Sequence, residues 1–419
     1  EIFKRPTIKD ISKLIQESAE SIYTSIGKVK EKDYYPISPA QKRIYTLQQF
    51  DKESVSYNIS GGIILEGELN LERLSKTFDK IIQRHEVLRT SFKQEDGERV
   101  QYVHQEVDFR LEYLEAREEE LEEQLENFIR PFDLSQAPLL RAGLIKITSE
   151  KYLLVLDMHH IISDGDSMGI LIKEFADIYR GRELKPLRIQ YKDYSEWQHK
   201  LIDSGRIDQQ KEYWLQQFEG EIPVLNLMGD NPRPAVQSFA GNHLNFKLEE
   251  DLTFSLREIS QDTGATIYMI LLSAFNVLLS KYSGQEDIIV GSPVAGRSHG
   301  DLHNIMGMFV NTLAMRNYPE GDKSFKKFLY EVKMNALDAY ENQDYQFEDL
   351  VDNLDIKRDL SRNPLFDVML ATQNVDFKEM EIGQLAIKPH ELKNSTSKFD
   401  LTMLTTEKDD GIHINLEYY

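Results

Sequence analysis

The stretch VLDMHHIISDGDSMGIL, residues 155–171, joins two patterns whose meeting decides the fold. Its first half closes KYLLVLDM (151–158), which has the length and aliphatic content of a buried strand. Its second half opens SMGILIKEFADIY (167–179), where apolar residues recur at the 3.6-residue spacing of a helix. His159 and His160 therefore stand at a strand end, and Asp164-Gly165 lies in the turn entering the helix. Turns held between rigid elements are where reacting groups are commonly mounted.

Histidine is the side chain whose ordinary pKa, about 6.5, suits proton transfer near neutrality. In an extended chain neighbours point to opposite sides, so one histidine can do chemistry while the other packs or hydrogen-bonds inside. Gly165 admits a backbone geometry or a close substrate approach that a side chain would forbid. Asp164 follows His160 by four, and on one helix the two would share a face and could ligate a metal. The turn between them speaks against that, no third ligand has recognisable spacing, and no metal is expected. An arbitrary His-His pair is most often two satisfied core residues, whereas HHxxxDG at a strand-to-helix junction is far more specific.

The whole chain bounds the rest. Its 419 residues exceed what one hydrophobic core usually serves, so two comparable lobes are expected. Fifty Lys and Arg against 71 Asp and Glu give a net charge of −21, which repels phosphate backbones and anionic lipid surfaces. Nucleic acid and membrane are thus not expected partners. With no cysteine there is no thiolate nucleophile, disulfide or Cys-ligated metal, which suits a reducing compartment. No apolar run approaches the roughly 20 residues of a membrane span. The opening EIFKRPTIKD lacks the apolar stretch of a signal peptide. A soluble, cytoplasmic protein is the expectation.

Helical periodicity runs over about 38–49, 70–85, 116–130, 167–179 and 207–218, with strands at SGGIILEG, LLRAGLIKI and KYLLVLDM. That makes one α/β lobe. After the turn-rich GDNPRPAVQSFAGN (229–242) come helices near 250–262, 266–282 and 324–340. Strands follow at EDIIVGSPV, NTLAMR, LFDVMLATQN, FDLTMLTT and GIHINLEYY, a second α/β lobe. At the other end, Thr7 with Asp10 resembles a capping box, and Ile8, Ile11, Leu14 and Ile15 line one face of a short helix. The charged GKVKEKDYYP after it reads as a linker.

The segment MHHIISDGDS (158–167) resembles the core motif of the condensation domains of nonribosomal peptide synthetases, in the chloramphenicol acetyltransferase-like superfamily. SPAQKRIYTL (38–47) and RHEVLRTSF (84–92) resemble the two motifs before it. YKDYSEWQ (191–198), IMGMFVNTLAMR (305–316), NQDYQFEDLV (342–351) and RDLSRNPLFDVML (358–370) resemble the four after it, in the family's order. Asn342 and Tyr345 depart from residues that relatives often carry there, which touches substrate fit or packing. IFKRPTIKDISKLI resembles the last helix of a peptidyl carrier protein, without the carrier's modified-serine motif, and the whole resembles a piece of a larger assembly line.

The resemblance implies an α/β fold of two acetyltransferase-like lobes in a V, a pseudo-dimer with an active-site tunnel between them. It divides the chain into a carrier helix (1–25), a linker (26–36), an N-terminal lobe (37–193) and a C-terminal lobe (194–419). It implies that His160 positions the acceptor amine, accepts its proton, or both, that His159 orients the loop, and that Asp164 is structural, in a cross-lobe salt bridge with Arg297 of GSPVAGR. The backbone N–H near Gly165 would steady an oxyanion. No cofactor is expected on this chain. The 4'-phosphopantetheine arms would come on upstream donor and downstream acceptor carrier domains, beside an adenylation domain of the same synthetase. Because the carrier-like helix runs through a short linker straight into YYPISPAQKRIY, with no room for an epimerisation domain, the expected donor is an L-configured aminoacyl or peptidyl thioester, and the acceptor an L-aminoacyl thioester. The domain would be internal to its line. The alternatives are an epimerisation domain, which shares HHxxxDG, a non-catalytic recruiting domain of the same fold, and an acyltransferase using a soluble donor. GMFVNTLAMR and SRNPLFDVML resemble condensation domains more closely than epimerisation domains.

Overall fold

The computed structural model describes residues 7–9, 12–13, 25–229, 232–356, 359, 361–373, 379–383, 385–390, 392 and 396–419. Two six-stranded sheets dominate it. The first contains β2 (Asn58–Glu66), β5 (Leu111–Glu115), β6 (Leu140–Lys146), β7 (Lys151–His159), β12 (Met380–Ile382) and β13 (Leu385–His390), in the order β12-β13-β2-β7-β6-β5. The second contains β8 (Asn242–Leu248), β9 (Ile288–Val294), β10 (Asn311–Asn317), β11 (Val368–Thr372), β14 (Leu401–Lys408) and β15 (Gly411–Tyr418), in the order β10-β9-β11-β14-β15-β8. A small third sheet joins β1 (Tyr35–Pro36) to the hairpin of β3 (Thr90–Glu95) and β4 (Glu98–Val103).

Strand β7 sits in mid-sheet between antiparallel β2 and β6, so its backbone is paired on both edges. Its side chains alternate as a strand must. Leu154, Leu156 and Met158 enter the main core of the first lobe, and Leu153 and Val155 join a smaller cluster on the other face with Phe128. That alternation sends Asp157 and His159 to the smaller side. The main core is closed by α2 (Leu71–Arg84), through Leu74, Phe78, Ile81 and Ile82, and by α4 (Gly165–Tyr179), through Leu171 and Phe175. Helix α1 (Pro39–Phe50) begins with a capping box, in which Gln41 N donates to Ser38 Oγ and Ser38 N to Gln41 Oε1, each at 3.1 Å.

In chain order there follow α3 (Leu121–Phe128), α5 (Tyr191–Asp203), α6 (Asp208–Gln217), α7 (Glu250–Thr263), α8 (Ile267–Ser283), α9 (Phe325–Glu341) and α10 (Phe347–Asn353). Helices α8 and α9 bury Leu272, Phe275, Phe328 and Val332 in the second core, against Val290, Leu313 and Leu370 of its sheet. The expected helices and strands of both lobes are present, with ends shifted by a few residues. The hairpin β3–β4, β5, β8, β12, β13, α5 and α10 were not foreseen as elements.

The two lobes interleave. A boundary at residue 193 would cut α5, whose Tyr191 and Tyr194 lie in the first core and whose Leu201 lies in the second. Residues 380–390, within the expected C-terminal lobe, instead extend the first sheet, because β13 pairs antiparallel with β2 from Ala386↔Glu66 to His390↔Gly62. The segment around Leu302, Ile305 and Phe309 also packs into the first core. Of the helix expected over 7–18, residues 8, 9, 12 and 13 are helical and exposed, Ile8 of the apolar face among them, and Ile11, Leu14 and Ile15 lie outside the described residues.

Gly307 sits where this segment crosses α5. A Cβ built there would lie 1.9 Å from the Tyr191 ring, whose hydroxyl donates to Met308 O at 2.5 Å and accepts from Ser38 Oγ at 2.8 Å. Overpacking a well-filled core costs about 1–3 kcal/mol. Gly307→Ala is therefore expected to lower stability by at least about 2 kcal/mol, measured by chemical denaturation. An unchanged midpoint would show that the crossing can open without cost.

Candidate functional site

The histidine pair marks a sharp change of backbone. Strand β7 ends at His159, and His160–Ile162 form a single 3-10 turn. His160 N donates to Tyr57 O (2.7 Å), which ties the turn to the residue before β2. Gln41 Nε2 donates to Ile161 O (3.0 Å), so the capping glutamine of α1 also braces this turn.

His159 is fully buried, with an edge-on contact to Phe132 at 6.1 Å between ring centroids. Its Nδ1 accepts from Ile161 N and its Nε2 faces Gln48 Oε1, each at 3.2 Å. The imidazole is thus a neutral Nε2–H tautomer. Burial, and then the charges of His160 and Lys398, push its pKa down to about 3. His160 is partly exposed, yet its Nδ1 is buried with no hydrogen-bond partner among the described residues. Burial, then the Lys398 ammonium, hold this imidazole down to about 4, against smaller upward pulls from its own backbone, from Asp164 and from the backbone of Ser163. Both rings are uncharged at neutral pH, and His160 alone has an unengaged ring nitrogen.

Asp164 caps α4. Its Oδ1 accepts from Ser167 N (2.8 Å), Ser167 Oγ (2.6 Å) and Arg297 Nη2 (3.0 Å), and its Oδ2 accepts from Phe309 N (3.1 Å). Arg297 Nη1 donates to Leu302 O (2.5 Å) and Ile305 O (2.8 Å), and the guanidinium lies 4.1 Å from the Phe309 ring centroid. Both side chains are at least 97 % buried, at 1 % and 3 % exposure. An Asp so fully engaged is a buried tie between the α4 cap and the segment leading to β10. Gly165 opens α4, and nothing lies within 4 Å of where its Cβ would be. Its backbone is not in the left-handed region. Of the two uses expected of Gly165, it does not serve a left-handed backbone geometry, since an Asp N-cap enters a helix through ordinary extended backbone. What the glycine leaves is free space beside the helix N-terminus.

All five residues singled out from the sequence fall within this one assembly. Sequence reasoning missed Tyr57, Gln41 and Gln48 as its braces, and Lys398 as the cation whose charge acts on both histidines. SPAQ was noticed, but its contact with Ile161 spans two elements and leaves no local pattern. Close by, Arg43 of α1 pairs with Glu348 of α10 (3.3 Å) and lies over the Phe347 ring, a second tie between lobes. Among the described residues no group of three or more metal-ligating side chains occurs, and no single helix is long and apolar enough to cross a membrane.

A family model described as Condensation domain matches residues 31–419. Over 418 residues the chain is 51 % identical to Bacitracin synthase 3 of Bacillus licheniformis, covering 100 % of this chain and 7 % of that protein. It is 50 % identical over 417 residues to Tyrocidine synthase 3 of Brevibacillus parabrevis, covering 100 % of this chain and 6 % of the relative. The chain thus spans less than a tenth of the length of these curated relatives. Its fold is similar to that of the X-domain solved in complex with OxyB from teicoplanin biosynthesis, with a TM-score of 0.87, 25 % identity and coverage of 96 % of this chain and 91 % of that one. It is also similar to the condensation domain from the monacolin K polyketide synthase MokA, at a TM-score of 0.82, 20 % identity and coverage of 94 % and 93 %. With the family model spanning both lobes and the histidine turn between them, the chain belongs to the condensation-domain family and has its two-lobed α/β fold.

Proposed function

We propose that this domain forms a peptide bond between two carrier-bound thioesters, and that His160 handles the proton. The observation that carries the reading is a neutral imidazole with an unengaged nitrogen, on a turn braced from both lobes. The acceptor's amine nitrogen attacks the donor's thioester carbonyl carbon, a C–N bond forms, and the carbonyl π pair moves to oxygen. The resulting ammonium gives a proton to His160. When the oxyanion collapses, the C–S bond breaks, and the departing thiolate takes that proton from the imidazolium. No external oxidant or energy source is needed, because the thioester is already activated.

Most of the rate would come from placement. Holding two reactants in line supplies roughly 7–11 kcal/mol of a barrier when the geometry is good. His159 serves by fixing the turn, and Asp164 with Arg297 by fixing α4 and the crossing segment. The space beside Gly165 and the N–H groups of Gly165 and Asp166, which precede the Ser167 N–H taken by Asp164, suit the oxyanion. Donor and acceptor arrive on the phosphopantetheine arms of carrier domains, in a tunnel between the lobes and beside an adenylation domain. The proposed compartment is the cytoplasm, which a chain without cysteine suits. Support for a carrier helix at 1–25 is that the relatives align across it although the family model begins at residue 31.

A second reading, a domain that recruits another enzyme without catalysis, draws on the likeness to an X-domain solved with OxyB. The intact HHxxxDG turn favours catalysis. Intact-protein mass spectrometry of loaded donor and acceptor carriers after mixing tests this directly, since transfer moves the donor's mass to the acceptor. Exchange of the α-proton of a single loaded carrier would instead mark an epimerase.

His160→Ala is expected to lower single-turnover transfer by about 10²- to 10⁴-fold with the melting temperature retained; near-normal transfer would remove His160 from the chemistry. Asp164→Ala and Arg297→Ala are expected to lose activity together with about 3–5 kcal/mol of stability, because each strands a buried charge. A full melting temperature with lost turnover would make Asp164 a reacting group. With paired L and D donors on one carrier, the L donor is expected to react faster, by about the 10- to 200-fold that pocket shape supplies. A faster D donor would reverse the stereochemical reading.

A further inference from the structure

Among the described residues, the ammonium of Lys398 stands near the histidine turn with no carboxylate bound to it. Its backbone is pinned, because its carbonyl accepts from Gln237 Nε2 (2.9 Å) and Asn363 Nδ2 (3.0 Å), and Ser397 N donates to Phe239 O (2.9 Å). Phe399 beside it is buried and stacked on Phe366. From this fixed base the side chain reaches the other lobe, where its ammonium lies 4.9 Å from the centroid of the Tyr57 ring. The carbonyl of that same Tyr57 holds His160 N at 2.7 Å. Among the described residues nothing accepts a hydrogen bond from Lys398 Nζ.

An ammonium partly shielded from water and without a carboxylate in contact costs free energy, so its retention points to a use. The charges facing it are Glu417 of β15, which favours its protonated form, and Arg43 of α1, which opposes it. Burial, the largest influence, acts with Arg43 against Glu417 and brings it down to about 8. The charges facing His160 are Lys398, leading into β14, and Asp164, at the cap of α4, with the neutral His159 next to it in the chain.

We propose that Lys398 is a positioning residue of the condensation site, a fixed cation that holds His160 a weak base, so that the proton it takes from the acceptor amine is driven on to the departing sulfur. This deepens the reading of His160 given above and rests on it. An acceptor α-amine, with an ordinary pKa of about 8, reaches the site mostly as ammonium. Next to a standing positive charge the neutral amine is the form that binds. An imidazolium formed beside the same charge is a strong acid, so the proton does not rest there. The oxyanion of the tetrahedral intermediate is attracted by the charge as it develops.

The test compares wild type with Lys398→Met, Lys398→Gln and Lys398→Arg by two readouts. One is the NMR titration of the His160 imidazole in the whole chain; the other is the pH profile of single-turnover dipeptide formation on loaded carriers. In the Met variant the His160 midpoint is expected to rise by about one pH unit, as expected when a neighbouring like charge is removed. The acid limb of the rate profile moves the same way, and the rate at neutral pH falls about tenfold. The Gln variant behaves alike and serves where Met lowers the melting temperature. The Arg variant keeps the midpoint and the neutral rate, and it lacks the alkaline decline that wild type shows as Lys398 loses its own proton. A Met or Gln variant with the wild-type rate profile overturns the proposal, whether or not its His160 midpoint moves. Wild-type protein that makes no dipeptide overturns the condensation reading itself, and the His160 midpoint then still reports whether Lys398 faces the imidazole.

Discussion

The ion pair of Asp164 and Arg297 is the constraint on which the rest of the site depends. It lies at the N-terminus of the helix that follows the histidine turn, and it gathers a helix cap, a guanidinium from the second lobe and the amide of Phe309 into one buried knot. A buried pair of this kind gives little net stability, because desolvating the two charges offsets most of their attraction. What it gives is uniqueness. The carboxylate is satisfied in one relation between the lobes, and any sliding of the 302–309 segment against α4 leaves a charge without a partner.

The histidine turn inherits its precision from that arrangement. His159 is held through both ring nitrogens, His160 by its backbone to Tyr57, and Ile161 by Gln41. Reactive groups work when their supports are packed and hydrogen-bonded, and here the supports come from α1, from the residue before β2 and from β7 itself. The chemically free atom is left on a turn whose backbone and first histidine are held on both sides. Electrostatics follow the same logic, since burial and a nearby cation keep the ring neutral, with its lone pair free, and make it hold a proton only weakly.

Local features of this protein were legible in the sequence and distant ones were not. The strand-turn-helix unit carrying HHxxxDG announces itself through two clear periodicities, and the main helices of both lobes do likewise. The pairing of Asp164 with Arg297 came from family resemblance, because nothing in GSPVAGR identifies its partner. Helix α5 is hidden from a periodicity search because its buried face includes Asp193, Ser195 and Gln198 beside two tyrosines. Strands β12 and β13 are short, and Pro389 interrupts the second. Tyr57 and Lys398 meet only in three dimensions, so no spacing rule could have joined them.

The return of β13 to the first sheet bears on how the chain is made. Strand β2 has β7 on one edge and β13 on the other, and β13 is not synthesised until most of the second lobe has left the ribosome. Until then β2 presents an unpaired edge, the kind of surface that invites wrong partners. The first lobe is therefore finished by the second, and the slow step in forming this domain is expected to be a long-range strand pairing whose loop-closure entropy spans most of the chain. In a synthetase that strings many domains on one polypeptide, each such domain becomes a folding unit that closes late and as a whole.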